Sequence, residues 1–175
     1  HIAVSGSALP YLDHTVTLDA TTQAGYDGTP SIDVDGALLG GVGIDGCISD
    51  TGGMVVQGFV IRHFSGAAVR FDDGGGNVIQ GNYLGTDVAG TLAQPNQVGV
   101  WLAGGADNSI VGGSGAGEGN LIAFNTEDGV RVNGPAGILI LGNSIYANGH
   151  IGIDLPGGTV DPFAVTVNDT NDVAP

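Results

Sequence analysis

The chain repeats itself every 23 residues. Gly58-Phe59-Val60-Ile61-Arg62-His63-Phe64, Gly119-Asn120-Leu121-Ile122-Ala123-Phe124-Asn125 and Gly142-Asn143-Ser144-Ile145-Tyr146-Ala147-Asn148 share one template, and Gly81-Asn82 opens another copy. Gly58 to Gly81 and Gly119 to Gly142 are each 23 residues, whereas Gly81 to Gly119 is 38, or 23 plus 15. A second motif follows the template: Ala68-Val69-Arg70-Phe71, Gly129-Val130-Arg131-Val132 and Gly152-Ile153-Asp154-Leu155. A fixed period in this range marks a stack of repeats. One repeat is too short to bury its own apolar face, so successive repeats must pack on each other.

The repeats are built from strands. Val16-Thr17-Leu18-Asp19, Ser31-Ile32-Asp33-Val34, Val42-Gly43-Ile44 and Met54-Val55-Val56 alternate over short runs, separated by Gly, Asp, Thr and Pro. Met54 to Gln57, Asn77 to Gln80 and Ile138 to Leu141 occupy one strand position, with Asn108-Ser109-Ile110 as its copy in the coil between. Val69 to Asn77, Val100 to Asn108 and Val130 to Ile138 are each eight residues, an interval that predicts coils in register. Two turn-rich insertions, residues 85–96 and 112–118, account for the long interval and are expected as loops outside the stack. No segment carries a helical stripe. Strands this short in coils this long predict an all-β fold, a single-stranded right-handed parallel β-helix with rungs roughly 4.8 Å apart. It spans residues 1–160 and is followed by a strand and acidic tail over 161–175.

Stacked coils turn aligned positions into columns. Asn82, Asn120 and Asn143 form one, with Phe59 at its end, and Asn125 and Asn148 form another, with Phe64 below. Asn tolerates the left-handed turn conformation and its amide reaches the next rung, so these columns are structural. In the second motif the flanking residues point inward, which leaves Arg70, Trp101, Arg131 and Asp154 outward on four successive rungs. Such a column holds rungs together by cation–π and ionic contacts, worth roughly 0.5–1 kcal/mol each when exposed. It is equally a candidate surface for a glycan or a protein partner.

The charge balance excludes partners. Eighteen acidic residues stand against Arg62, Arg70, Arg131 and no Lys, a net charge of −15. Polyphosphates and anionic membrane surfaces are repelled, so neither nucleic acid nor membrane insertion is expected. No run approaches the ~18 apolar residues of a spanning helix. Sixteen of the acids are Asp, a turn former and hard-cation ligand. Cys47 is the one cysteine and is expected to be buried, flanked by Ile44 and Ile48.

Gly81-Asn82-Tyr83-Leu84-Gly85-Thr86-Asp87-Val88-Ala89-Gly90-Thr91 resembles the "GNYIGTDxxGT" motif of bacterial secreted and cell-surface right-handed parallel β-helix repeat proteins. Residues 104–113 resemble that group's "GGAxxNxIGG", and residues 9–30 resemble its opening segment "ITIDGTTQPGYSGTP". The resemblance covers nearly the whole chain. It implies an extracellular or cell-surface location and attachment to larger surface proteins. Similar proteins tend to carry a strand before the segment like His1-Ile2-Ala3-Val4 and to continue past the tail, so the chain reads as a piece of something longer or a subunit completed by a neighbour.

Many enzymes acting on acidic polysaccharides use this fold, and catalysis there needs a Lys or Arg base beside carboxylate-bound calcium, or a carboxyl pair at defined separation. Lys is absent, and the adjacent pair Asp72-Asp73 runs into Gly74-Gly75-Gly76, a turn. His1, His14, His63 and His150 are scattered, and nothing in the sequence joins them into a metal site. No catalytic residue and no cofactor is assigned; calcium is the one candidate ion, with Asp161, Asp169 and Asp172 as candidate ligands. Asn168-Asp169-Thr170 fits a glycosylation pattern. Phe163, Val165 and Val167 alternate as a strand with one apolar edge, a candidate for head-to-tail pairing with another copy. The expectation is a non-enzymatic structural or adhesive surface module, possible as a filament subunit; the alternative is a polysaccharide-binding or polysaccharide-modifying domain.

Overall fold

The computed structural model describes residues 1–37, 40–46 and 52–155. The structure is all-β, with parallel strands in three sheets. Sheet I holds Thr17–Asp19, Val55–Gln57, Val78–Gln80, Ile110–Gly112 and Leu139–Leu141. Sheet II holds Ile2–Ala3, Ile32–Asp35, Phe59–Arg62, Tyr83–Leu84, Leu121–Ala123 and Ser144–Tyr146. Sheet III holds Ile44–Gly46, Ala67–Phe71, Val98–Ala103, Val130–Asn133 and Ile153–Asp154. From Thr17 onward the chain visits the sheets in the fixed order I, II, III, so each circuit lays one strand on each sheet, an arrangement consistent with a solenoid.

The core is made by columns of apolar residues at one register position. Ile61, Leu84 and Ile122 stack in sheet II, Val56, Ile79 and Val111 in sheet I, and Val69, Val100 and Val130 in sheet III, all fully buried. Parallel strands buried on the inner face pack β-branched residues well, which is why Val and Ile dominate these columns.

The template also fixes the turns. Its opening glycine takes φ of 77°, 61° and 69° at Gly58, Gly81 and Gly142. Its sixth residue is left-handed although it is not glycine: φ is 61° at His63, 62° at Phe124 and 51° at Ala147. Three different side chains accept the same unfavourable conformation, so the turn between sheets II and III is imposed by the stack and not by a local preference.

Four expectations need correction. The strand expected at Val42–Ile44 lies at Ile44–Gly46, where Ile44 pairs with Val69. Asn96, expected in an outer loop, is buried inside the stack: its Oδ1 accepts the Phe64 N–H at 3.0 Å. The eight-residue interval fails in the coil containing Val100. Val78 pairs with Ile110, so Asn77 is level with Ser109 and not with Asn108. Asn108 absorbs the extra residue at φ 55°, a conformation Asn tolerates. Finally, Ile153 is half-buried and Leu155 is 46% exposed, so the last described rung is not sealed like the others. Cys47, the boundary at residue 160 and the whole segment 161–175 lie outside the described residues.

Candidate functional site

The outer face of sheet III carries the column read from the sequence. Arg70 pairs with Trp101, Trp101 with Arg131 and Arg131 with Asp154, and Asp45 adds a fifth member below Arg70. The alternation works as in any half-buried strand: Val69 and Phe71, Val100 and Leu102, Val130 and Val132 turn inward, and the residue between them turns out.

Each arginine of the column is clamped by carboxylates. Arg70 binds Asp45 through both Nε and Nη2 at 2.9 Å, donates from Nη2 to Tyr11 Oη at 3.1 Å, and lies 3.3 Å from Asp72. Arg131 donates from Nε to Asp128 Oδ2 at 2.7 Å and from Nη2 to Glu127 Oε2 at 2.6 Å. Its Cζ sits 5.3 Å from the Trp101 ring centroid, a cation–π contact. Asp154 is further off, 3.8 Å from Arg131 Nε. The two outlying carboxyls therefore differ. Burial and the neighbouring Asp128 push Asp154 above the usual carboxylate range, whereas the Arg131 hydrogen bond holds Glu127 below it. Trp101 Nε1 is buried with no hydrogen-bond partner, an unmet donor inside an otherwise saturated cluster.

His150 joins this cluster. Glu127, Asp128 and His150 each offer a ligand atom within 4.8 Å of the others, and His150 Nδ1 is 3.7 Å from Asp128 Oδ1. The sequence gave His150 no such neighbours because they come from adjacent coils. The three donors are poor company for calcium, which takes six to eight oxygens. Arg131 already neutralises both carboxylates, and a cation would have to displace it.

Chain-distant residues also meet on sheet II, in a cluster with no forewarning. Arg62 grips Asp33 through Nε at 2.8 Å and Nη2 at 2.9 Å, and its Nη2 lies 3.0 Å from Asp35. His63 Nδ1 is 2.9 Å from Asp35, and His1 Nδ1 is 2.8 Å from Asp33. The signal was the register match of Asp35 with Arg62, but the 27 residues separating them exceed the 23-residue period and hide it.

The asparagines form ladders. Asn143 Oδ1 accepts from Asn120 N and Nδ2 at 3.0 and 2.9 Å, and Asn120 Oδ1 accepts from Asn82 N and Nδ2 at 2.9 and 3.0 Å. Asn82 Oδ1 then accepts the Phe59 N–H. The second column runs Asn148, Asn125, Asn96 and ends on the Phe64 N–H. A third, in which Ser109 Oγ accepts from Asn77 N and Asn77 Oδ1 from Met54 N, was not foreseen. The tail candidates Asp161, Phe163, Val165, Val167, Asp169 and Asp172 lie outside the described residues.

Compared with known proteins, the chain matches no family model, no curated sequence and no solved structure.

Proposed function

We propose that this chain is a non-enzymatic, extracellular structural and adhesive module: a single-stranded right-handed parallel β-helix that joins like modules end to end. The observation that carries the proposal is the fate of its cations. The chain has three basic side chains besides histidine, and Arg62, Arg70 and Arg131 each bind two or more carboxylates. Arg62 and Arg70 take theirs from neighbouring rungs, so they staple coils together. A lyase or hydrolase of acidic polymers needs a cation or base free to meet the substrate carboxylate, and these are spoken for. Three internal ladders of hydrogen-bonded side chains point the same way: they fasten each coil to the next and present nothing to solvent. The resemblance to bacterial surface proteins supports the location.

The test is to incubate the purified chain with polygalacturonate, alginate and hyaluronan while following unsaturated uronate and reducing ends. Light scattering and negative-stain microscopy of the same sample report association. The expected result is no turnover and rod-like particles that lengthen with concentration. Depolymerisation that disappears in Glu127→Gln or Asp128→Asn would overturn the proposal, and strictly monomeric particles at all concentrations would remove its end-to-end part.

A further inference from the structure

The clamped column on sheet III leaves little open for a ligand, but a cleft elsewhere is built from groups that remain available. Asp19, Gln57 and Gln80 share one register position on successive rungs of sheet I and form its floor. The chain rises on both sides of this floor. One wall is the loop after Thr17–Asp19, folded back by the Gln23 N–H on Ala20 O and the Tyr26 N–H on Gln23 O, and it presents Thr21 and Tyr26. The other is the insertion before Gly119, which presents Ala116, Gly117 and Glu118. Together they enclose about 500 Å³. That volume falls within the roughly 300–1,000 Å³ of small-molecule sites. Insertions into a solenoid gather on one face, and that face is often the binding face.

The chemistry of the lining narrows the occupant. Neither carboxylate is free. Glu118 accepts the Gly115 N–H at 2.6 Å, and Asp19 accepts the Thr21 N–H at 2.9 Å and its hydroxyl at 2.5 Å. No lining side chain is cationic, and the chain carries −15, so an anion is repelled. The strands under the floor are paired on both sides, so no edge is open to receive a peptide as an added strand. What remains is an aromatic ring, side-chain amides and a hydroxyl. Gln80 is oriented by its Nε2 bond to Gly112 O at 3.0 Å, which leaves its Oε1 to accept. Burial raises the Tyr26 phenol above its ordinary range, so it stays neutral and both donates and accepts. A flat aromatic wall with neutral planar amides suits a ligand that is apolar on its faces and covered in hydroxyls at its rim.

We infer that the cleft between Tyr26 and Glu118, floored by Gln57 and Gln80, binds a neutral oligosaccharide. This deepens the adhesive part of the proposed function and rests on it, by giving the module a ligand class and a site.

The experiment is calorimetric titration of the full chain with cellohexaose, xylohexaose, mannohexaose and maltohexaose, with NMR of the Gln57 and Gln80 side-chain amides on the unsubstituted protein. At least one sugar is expected to bind and shift both amides. Tyr26→Ala is expected to weaken it about tenfold or more, the loss of one stacked ring. Trp101→Ala is expected to leave it unchanged. The inference is overturned if none of the four binds, or if binding leaves both amides unmoved or depends on Trp101 and not on Tyr26. The amide shifts need no variant, so a poorly folded Tyr26→Ala does not blunt the test. The two proposals fail separately: absence of binding leaves the structural module standing, whereas cleavage of a bound sugar removes the non-enzymatic reading and keeps the cleft.

Discussion

Replacing Asn120 by alanine removes one amide from the middle of a buried ladder. Asn120 is 2% exposed, and its side chain makes four hydrogen bonds. Oδ1 accepts from Asn82 N and Asn82 Nδ2, while Nδ2 donates to Ile79 O at 2.8 Å and to Asn143 Oδ1. After truncation Asn143 Oδ1 keeps the Asn120 N–H, and Asn82 Nδ2 keeps Val56 O. The Asn82 N–H, the second Asn82 amide hydrogen and Ile79 O lose their partners in a place water reaches poorly. Orphaned groups of this kind cost about 1–3 kcal/mol each, so the sum is about 3–6 kcal/mol after some relaxation. That is a large share of the roughly 5–15 kcal/mol that holds a domain folded.

Urea denaturation followed by circular dichroism measures the loss as a shift in midpoint at unchanged slope. Two controls give the result its meaning. Asn143→Ala, one rung on and half-buried, should cost clearly less because water can take over its bonds. Asn120→Asp keeps the shape but sets a carboxylate oxygen against Ile79 O and Asn143 Oδ1, so its folded pKa must rise. Stability linked to a raised pKa is present below the unfolded value and lost as pH rises through the folded one. The deficit of Asn120→Asp against wild type should therefore be large at neutral pH and shrink on acidification. A cost for Asn120→Ala below about 1 kcal/mol, or equal to that of Asn143→Ala, would refute the claim that the ladder fastens the coils.

Three further outcomes are expected. Trp101→Phe keeps a ring beneath Arg131 and deletes the unmet Nε1 donor, so stability should hold or rise; a loss above about 1 kcal/mol in the same urea assay would mean the donor has a partner in solution. A Cβ on Gly142 would lie 1.9 Å from Gly113 O at φ 69°, whereas one on Gly76 at φ 73° meets nothing, so Gly142→Ala should lower the thermal midpoint far more than Gly76→Ala, whose cost is confined to about 1–2 kcal/mol of left-handed strain. Because burial and Asp128 raise the Asp154 pKa, its charged form opposes folding; Asp154→Asn should raise the thermal midpoint at neutral pH, and the gain should vanish in acid, where the native carboxyl is protonated.

The regular part of the molecule was legible because its period survives in the sequence. Gly58, Gly81, Gly119 and Gly142 mark four rungs, and the outward position of Arg70, Trp101 and Arg131 follows from simple alternation. The clusters were less visible, for a physical reason. Arg62 meets Asp33 and Asp35, and Arg70 meets Asp45, only if coils of unequal length are brought into register. That register depends on what each turn absorbs, and composition does not record it. Arg131 is the opposite case. Its partners Glu127 and Asp128 precede it by four and three residues, yet attention to the column alone passed over them.

What holds the register where the coil lengths vary is the buried polar ladder more than the apolar strands. Phe64 to Asn77, Asn96 to Ser109 and Asn125 to Ile138 are each 13 residues. Within those spans the strand position slips. Val69 to Asn77 and Val130 to Ile138 are eight residues, but Val100 to Ser109 is nine, balanced by four residues from Asn96 to Val100 where the other coils have five. A one-residue slide of an apolar strand between turns is absorbed by one left-handed residue, Asn108. A one-residue slide of Asn96 or Ser109 would strand the Phe64 N–H or the Asn77 N–H and amide without acceptors, at about 1–3 kcal/mol for each group. The larger penalty sets the spacing, so the insertion over residues 85–96 must return the chain to the stack at Asn96, whatever its loop does outside.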